Sequence, residues 1–148
     1  MNTDVLELYQ RIIIDHSRHP RNFGRLAGGQ RADGDNPLCG DRVTVYVRLS
    51  GDVVAAAAFE GTGCALCIAS ASLMTEAVRG RTIADVEALS ERVRKLVTAA
   101  ADDPLGDRDA LSALAGVRRV PVRAKCALLP WHALRAAVRQ EHGVASTE

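Results

Sequence analysis

Three cysteines and one aspartate have the residue types and spacing of a metal site. Cys39 and Asp41 are separated by one residue, Cys64 follows the glycine-rich run GTG, and Cys126 lies much later in the chain. A thiolate is both a nucleophile and a metal ligand, and side chains two residues apart in an extended segment point the same way. Three thiolates and a carboxylate suit a closed tetrahedral Zn²⁺ site and suit the iron of a cluster equally well. The spacing alone does not choose between these metals.

The three cysteines are predicted to lie where secondary structure begins or ends. Cys39 precedes a predicted strand, Cys64 begins a predicted helix, and Cys126 precedes the last predicted helix. Unpaired N–H groups and the helix dipole stabilise a thiolate at a helix N-terminus. Arg123 and Lys125 next to Cys126 act in the same direction. We expect them beside the metal ligands, where they offset the net charge of about −2 that three thiolates, a carboxylate and a divalent ion would carry.

Cys67 has a different setting, because it lies three residues after Cys64 inside the predicted helix. Residues i and i+3 share a helix face, so the pair could be a redox CxxC motif or half of a zinc ribbon. A ribbon needs a second closely spaced pair, which the sequence lacks. A thioredoxin-like motif needs a βαβ setting, whereas this pair follows a predicted hairpin. We therefore expect Cys67 to lie in the core or beside the metal ligands.

Length and composition predict a single cytoplasmic domain over 1–148. Of the 148 residues, 47% are hydrophobic and 25% are charged, which suits one domain with one core. A net charge of +1 gives no reason to expect nucleic acid or a membrane surface as a partner. The charged N-terminal segment is unlike a signal peptide, and no apolar run reaches the roughly 20 residues of a membrane span. In a reducing cytoplasm, four cysteines indicate metal binding or thiol chemistry rather than disulfides.

Hydrophobic periodicity predicts an α+β fold, with helices packed on one face of a small antiparallel sheet. Alternating apolar residues predict strands at 43–49 and 53–59, which a turn joins as a hairpin. Helical patterns with caps or stops cover the segments 5–16, 64–78, 82–100, 108–114 and 127–142.

The remaining segments lack a regular pattern. Residues 28–40 are rich in Gly, Asp and Asn and are predicted to form a loop, and Pro121 makes 117–125 extended or irregular. The tail after about 143 is predicted to be disordered. Small and branched residues dominate the apolar share, with Phe23, Phe59 and Trp131 as the bulky members of the core.

Several motifs together follow the pattern of one family. They read GDNPLCGD at 34–41, GTGC at 61–64 with ASAS at 69–72, and RAKCALLPW at 123–131, after an opening at 8–22 that matches the family's LY…DH…PRN stretch. This pattern resembles the IscU/SufU-type iron–sulfur assembly proteins, which share the fold of the NifU N-terminal domain. The resemblance covers nearly the whole chain and implies a SufE/NifU-like α+β domain.

Two features resemble the SufU branch rather than the IscU scaffolds. IscU proteins carry a histidine immediately before the third cysteine and an LPPVK segment nearby, whereas this chain has Lys125 and the sequence RVPVR at 119–123. SufU proteins also have an insertion between the second and third motifs, and 102–117 looks like that insertion. In SufU proteins the position of Cys67 is usually a small residue without sulfur.

The resemblance implies that Cys39, Asp41, Cys64 and Cys126 bind zinc. It further implies a sulfurtransferase-like protein, which accepts persulfide sulfur from a SufS-type cysteine desulfurase through Cys39 and passes it to a downstream iron–sulfur assembly complex. One alternative is a scaffold on which iron and a [2Fe–2S] cluster are assembled and then transferred. A second alternative is a structural zinc domain that serves only as a binding module.

Overall fold

The computed structural model describes residues 3–100, 109–139 and 144–146. Its strands are β1 (Gln30–Asn36), β2 (Asp41–Ser50), β3 (Val53–Thr62) and β4 (Val144–Ser146). Its helices are α1 (Thr3–Arg18), α2 (Ala65–Val78), α3 (Ile83–Thr98) and α4 (Ala124–Val138), with 3₁₀ segments at Ala110–Arg119 and Pro121–Arg123. No helix among these residues is long and apolar enough to cross a bilayer.

The strands form one sheet in the order β3-β2-β1-β4, with β1, β2 and β3 antiparallel and β4 parallel to β1. Val43, Val45 and Val47 of β2 are at most 2% exposed, because they face the helices, while the alternate residues Arg42 and Arg48 face solvent. Helix α4 packs on β1 and β2, and α2 packs on β3 and on α4. The predicted α+β fold is therefore confirmed.

Strand β1 was not predicted, because its sequence QRADGDN has little β propensity. Its pairing with β2 makes it a strand, in a register that runs from Gln30 opposite Val47 to Asn36 opposite Asp41. Its small residues also make room for α4, since a Cβ on Gly34 would lie 3.1 Å from Leu129 Cδ1. A long-range partner thus overrides the local loop signal.

The last helix begins earlier than the sequence predicts. Helix α4 starts at Ala124 and ends at Val138, so Cys126 lies in its first turn rather than ahead of it. Pro130 is consequently inside the helix, where it cannot donate a hydrogen bond to the Cys126 carbonyl. Residues 140–143 and 147–148 lie outside the described residues, and β4 occupies 144–146, where the sequence predicts a disordered tail.

The segment before α4 is more regular than its sequence suggests. The short helix predicted at 108–114 is a 3₁₀ segment over Ala110–Arg119, and a second 3₁₀ turn covers Pro121–Arg123, where extended or irregular backbone was predicted. Leu111, Leu114 and Val117 are nearly fully buried. Residues 102–108 of the predicted insertion lie outside the described residues, while its second half belongs to the core.

Helix α1 and the turn after it are bound to α2 by polar side chains. His16 Nδ1 lies 2.7 Å from Ser72 Oγ, and the Arg21 N–H donates to the same oxygen at 2.8 Å. Asn22, which has a φ of 58°, donates to Thr75 Oγ1 at 3.0 Å. Burial lowers the pKa of His16. The N-terminal motif therefore holds α1 against the helix that begins at Cys64.

Two of the three predicted bulky core residues are buried, and the third is not. Phe59 is 0% and Trp131 1% exposed, whereas Phe23 is 53% exposed. Phe23 lies in a segment that runs along the edge of β3, where the Gly24 N–H donates to the Phe59 carbonyl and the Phe59 N–H to the Asn22 carbonyl. Its ring makes only an edge-to-face contact with Phe59, at 5.2 Å between centroids. The prediction of a core role for Phe23 was wrong.

A buried hydroxyl fixes α4 relative to α2. Ser70 Oγ donates to the Ala127 carbonyl at 2.6 Å and accepts from Trp131 Nε1 at 3.1 Å. Both α4 residues lie within five positions of Cys126, and Ser70 is six residues from Cys64. This hydroxyl therefore sets the distance between the two helix N-termini that carry cysteines.

We predict that Ser70→Ala lowers the free energy of unfolding by about 1–3 kcal/mol, because two buried polar groups lose a partner. Urea denaturation followed by far-UV circular dichroism would measure the change. Ser90→Ala is the matched control, since Ser90 Oγ is also buried but has no hydrogen-bond partner among the described residues. An equal loss of stability in both variants would contradict the assigned role of Ser70.

Candidate metal centre

Three parts of the fold meet at one point: the β1–β2 turn, the N-terminus of α2 and the N-terminus of α4. One ligand atom each of Cys39, Asp41 and Cys126 lies within 4.8 Å of the others. Cys64 lies at the same place, because its backbone N–H donates to Asp41 Oδ1 at 2.8 Å. The structure thus brings together the four residues that the sequence analysis selected, although the Cys64 thiol is outside the 4.8 Å group.

The β1–β2 turn sets the position of Cys39 and Asp41. The Cys39 N–H donates to the Asn36 carbonyl at 3.1 Å, and Asn36 pairs with Asp41 across the hairpin. Gly40 has a φ of 71°, a left-handed conformation that glycine adopts without steric cost. The turn leaves Cys39 half-buried and Asp41 fully buried. Cys39 is therefore at the rim of the site and Asp41 at its floor.

The two oxygens of the Asp41 carboxylate differ in their hydrogen bonding. Oδ1 accepts the Cys64 N–H, while Oδ2 is buried and has no hydrogen-bond partner among the described residues. An ionised carboxylate is costly to bury unless a cation or hydrogen bonds compensate it. A divalent metal at Oδ2 would supply that compensation, and the adjacent thiols are the other ligands that zinc or iron prefers. The residues present therefore fit such a metal.

Gly63 makes the approach of Asp41 possible. A Cβ at this position would lie 2.6 Å from Asp41 Oδ1, which is closer than such atoms pack. The glycine thus allows the carboxylate to reach the N–H of the next residue, Cys64. Sequence analysis did not select Gly63 as a site residue, although it belongs to the GTGC motif.

Cys64 is the N-cap of α2, as predicted, with extended backbone angles of φ −70° and ψ 165°. Its thiol is half-buried. The N-cap position places the sulfur near the unpaired N–H groups of the first helical turn, which favour a negative charge.

Cys126 is fully buried, like Asp41, at 0% exposure. Burial raises the pKa of its thiol, and so do the Asp41 carboxylate and the Cys39 and Cys64 thiols that face it. Asn36, which sequence analysis also did not select, is fully buried and places Nδ2 4.0 Å from the Cys126 sulfur. The sequence signal that could have identified Asn36 as a site residue was its position in the GDNP motif, close to Cys39.

Of the two cations predicted beside the site, Arg123 is in contact with it. A hydrogen bond to Cys126 raises the pKa of the Arg123 guanidinium, and the nearby Cys64 and Cys39 thiols add to the shift. Lys125 is exposed in the same first turn of α4, and its role beside the ligands stays a prediction.

Cys67 lies in the core, which agrees with one of its two expected positions. It is 0% exposed, and burial raises its pKa strongly, with smaller contributions from Asp41, Cys64 and Cys39. Cys67 is therefore close enough to the site for its charges to shift the pKa of the thiol, although its sulfur is not among the three ligand atoms that lie within 4.8 Å of one another.

Comparison with known proteins agrees with this geometry. The model of the NifU-like N-terminal domain family matches residues 8–144. The chain belongs to this family. It is 39% identical over 142 residues to the zinc-dependent sulfurtransferase SufU of Bacillus subtilis, covering 96% of this chain and 97% of the relative. It is 34% identical over 133 residues to the iron–sulfur cluster assembly scaffold protein IscU of Streptococcus pyogenes, covering 90% of this chain and 84% of the relative.

Solved structures of the NifU-like family have the same fold. A putative iron–sulfur cluster assembly scaffold protein for the SUF system from Fervidobacterium islandicum superposes with a TM-score of 0.77 and 28% identity, covering 93% of this chain and 99% of that one. The protein is thus an iron–sulfur cluster assembly protein of the SufU/IscU type, as the motifs predicted.

We predict that Gly63→Ala weakens the binding of Zn²⁺ roughly 10- to 100-fold, the usual effect of disturbing the groups that orient a metal ligand. The added methyl group would displace the Asp41 carboxylate. Competition with a chromogenic chelator would measure the affinity. Gly116→Ala is the control, because a Cβ there meets nothing within 4 Å, and its affinity should equal that of the parent protein. Equal affinities for all three proteins would contradict the assigned role of Gly63.

Proposed function

We propose that the protein is a zinc-dependent sulfur acceptor that takes persulfide sulfur from a SufS-type cysteine desulfurase through Cys39. The observation that carries this proposal is the contrast between two thiols whose ligand atoms are neighbours. Cys126 is fully buried in the first turn of α4, whereas Cys39 is half-buried on a hairpin turn. A partner can reach Cys39 without opening the core.

The residues around Cys39 suit the approach of another protein. Leu38, next to Cys39 in the turn, is 83% exposed, and Val122, next to Arg123, is 73% exposed. Exposed large apolar side chains beside a reactive group are typical of a protein-interaction site. We infer that these two residues contact the desulfurase.

The transfer step needs a thiolate at Cys39. The Cys39 thiolate attacks the outer sulfur of the desulfurase persulfide, the sulfur–sulfur bond of that persulfide breaks, and the desulfurase cysteine leaves as a thiolate. Cys39 then carries the persulfide, which a downstream assembly complex would accept by the same exchange. The Arg123 guanidinium beside Cys126 offsets the negative charge that gathers at the site during this exchange.

Cys39, Asp41, Cys64 and Cys126 would hold the zinc ion. When bound, Zn²⁺ would keep the thiols deprotonated without redox chemistry of its own. Two observations support zinc over a cluster. The B. subtilis relative is named as zinc-dependent, and this chain has Lys125 at the position where the IscU scaffolds carry a histidine.

A second candidate function is a scaffold for a [2Fe–2S] cluster. The match to the S. pyogenes IscU protein supports it, and three thiolates with a carboxylate also suit iron. A third candidate function is a purely structural zinc module, which does not require an accessible ligand such as Cys39 at the rim of the site. The three functions predict different effects of removing the Cys39 thiol on sulfur transfer and on stability, and both effects can be measured.

We predict that Cys39→Ala abolishes the stimulation of a SufS-type desulfurase and the formation of a persulfide on this protein, while the fold is retained. Cys126→Ala, in contrast, should lower the free energy of unfolding, because it removes a buried ligand and leaves a cavity. Sulfide release and mass spectrometry of the intact protein would give the first result, and urea denaturation the second. Equal unfolding of both variants, with no sulfur transfer by the parent protein, would favour the structural module.

We also predict that Leu38→Asp and Val122→Asp reduce desulfurase stimulation at least tenfold, since a charge replaces an apolar contact at the centre of an interface. Metal content should stay the same, because neither side chain is a ligand. Leu8→Asp is the control, since Leu8 is 51% exposed but lies on α1, which carries no site residue. If Leu8→Asp reduced stimulation equally, the interface would lie elsewhere.

A further inference from the structure

We propose that Cys64 and Cys67 form a redox pair, which a hydroperoxide oxidises to an intramolecular disulfide that withdraws Cys64 from the candidate metal centre. The inference uses the thiols of the site described above, but it does not depend on sulfur transfer.

The positions of the two cysteines in α2 permit the bond. Cys64 is the N-cap and Cys67 the third residue of the helix, so the two lie one helical turn apart on the same face. Helix geometry separates the Cα atoms of residues i and i+3 by about 5 Å. Disulfides form over Cα separations of roughly 4.4–6.8 Å. The pair can therefore close with little movement of the backbone.

The different exposure of the two thiols gives them different roles. Cys64 is half-buried at the site, and Cys67 is fully buried behind it. Of these two thiols, a peroxide molecule from solvent would therefore meet Cys64 first. Cys67 is also the one cysteine outside the proposed ligand set, so it stays available when the other thiols hold a metal.

The reaction is balanced with a hydroperoxide as the oxidant. The Cys64 sulfur attacks one peroxide oxygen, the O–O bond breaks, and Cys64 becomes a sulfenic acid as one water (or alcohol) leaves. The Cys67 sulfur then attacks the Cys64 sulfur, an S–S bond forms, and the hydroxyl leaves as water with the Cys67 thiol proton. Two thiols are oxidised by two electrons, and the peroxide is reduced. A dithiol would reverse the bond by exchange.

The disulfide would change what the site can bind. Cys64 could no longer coordinate as a thiolate, so Cys39, Asp41 and Cys126 would remain as the donors. A three-donor set holds zinc less tightly than a closed four-donor set. Oxidation would thus release the metal, and reduction would restore the site.

Tryptic cleavage separates this disulfide from every competing one. Cys39 lies in the peptide 32–42, Cys64 and Cys67 lie together in 49–79, and Cys126 lies in 126–135. A bond between Cys64 and Cys67 therefore removes two hydrogens from the single peptide 49–79. Any other pairing that involves Cys39 or Cys126 links two peptides or two chains.

The test treats the zinc-loaded and the metal-free protein with three equivalents of hydrogen peroxide, because the disulfide consumes one equivalent and a sulfinic acid two, then blocks the remaining thiols with N-ethylmaleimide and maps the peptides. We expect the internal disulfide in 49–79, release of zinc to a chromogenic chelator, and recovery of both thiols with dithiothreitol. In Cys67→Ser and Cys67→Ala, Cys64 should instead proceed to a sulfinic acid that dithiothreitol does not reverse. Two variants are used because serine puts a polar hydroxyl group and alanine an apolar methyl group at the buried position, so a result common to both reflects the loss of the Cys67 sulfur.

Cross-linked peptides joining 49–79 to 32–42 or 126–135, or reversible oxidation of Cys64 in both Cys67 variants, would overturn the proposal. The outcome is independent of the proposed function, because the metal-free protein reports on the disulfide without zinc or a desulfurase. Failure of sulfur transfer would leave the peptide map unchanged, and absence of the disulfide would leave sulfur transfer unchanged.

Discussion

A buried carboxylate with one unpartnered oxygen is the constraint on which the rest of the site depends. Asp41 is fully enclosed; Oδ1 accepts the backbone N–H of Cys64, and Oδ2 has no hydrogen-bond partner within the part of the chain that the structure describes. Burial of a charge in this way is unfavourable unless a cation faces it. The sulfurs of Cys39 and Cys126 and one carboxylate oxygen of Asp41 lie within 4.8 Å of one another. This set of donors fits a metal ion.

The fold holds the candidate ligands through separate contacts that can be traced to particular residues. The left-handed Gly40 closes the turn that carries Cys39 and Asp41, and Gly63 gives the carboxylate its room. Ser70 fixes the start of α4, and therefore Cys126, against the helix that Cys64 caps. The candidate ligands therefore differ in accessibility, because Asp41 and Cys126 are fully buried whereas Cys39 is half-buried at the rim.

Local signals in the sequence were sufficient for part of this arrangement. The GTG run before an apolar helical pattern located Cys64 at a helix N-terminus, and the spacing of Cys39 and Asp41 indicated a shared direction. Strand β1 could not be predicted, because its polar residues form a strand only through pairing with β2. The start of α4 was placed three residues late, since Pro130 is usual in a first helical turn but here lies deeper. The contribution of Asn36 depends on a contact over 90 positions, which no local pattern contains.

The most direct test of the account is the metal and acid-labile sulfide content of the protein purified without oxygen. The account predicts about one zinc per chain, as expected for a closed four-ligand site, with neither iron nor sulfide. Stoichiometric iron and sulfide, with the visible absorption of a cluster, would contradict the sulfur-acceptor proposal and favour the scaffold.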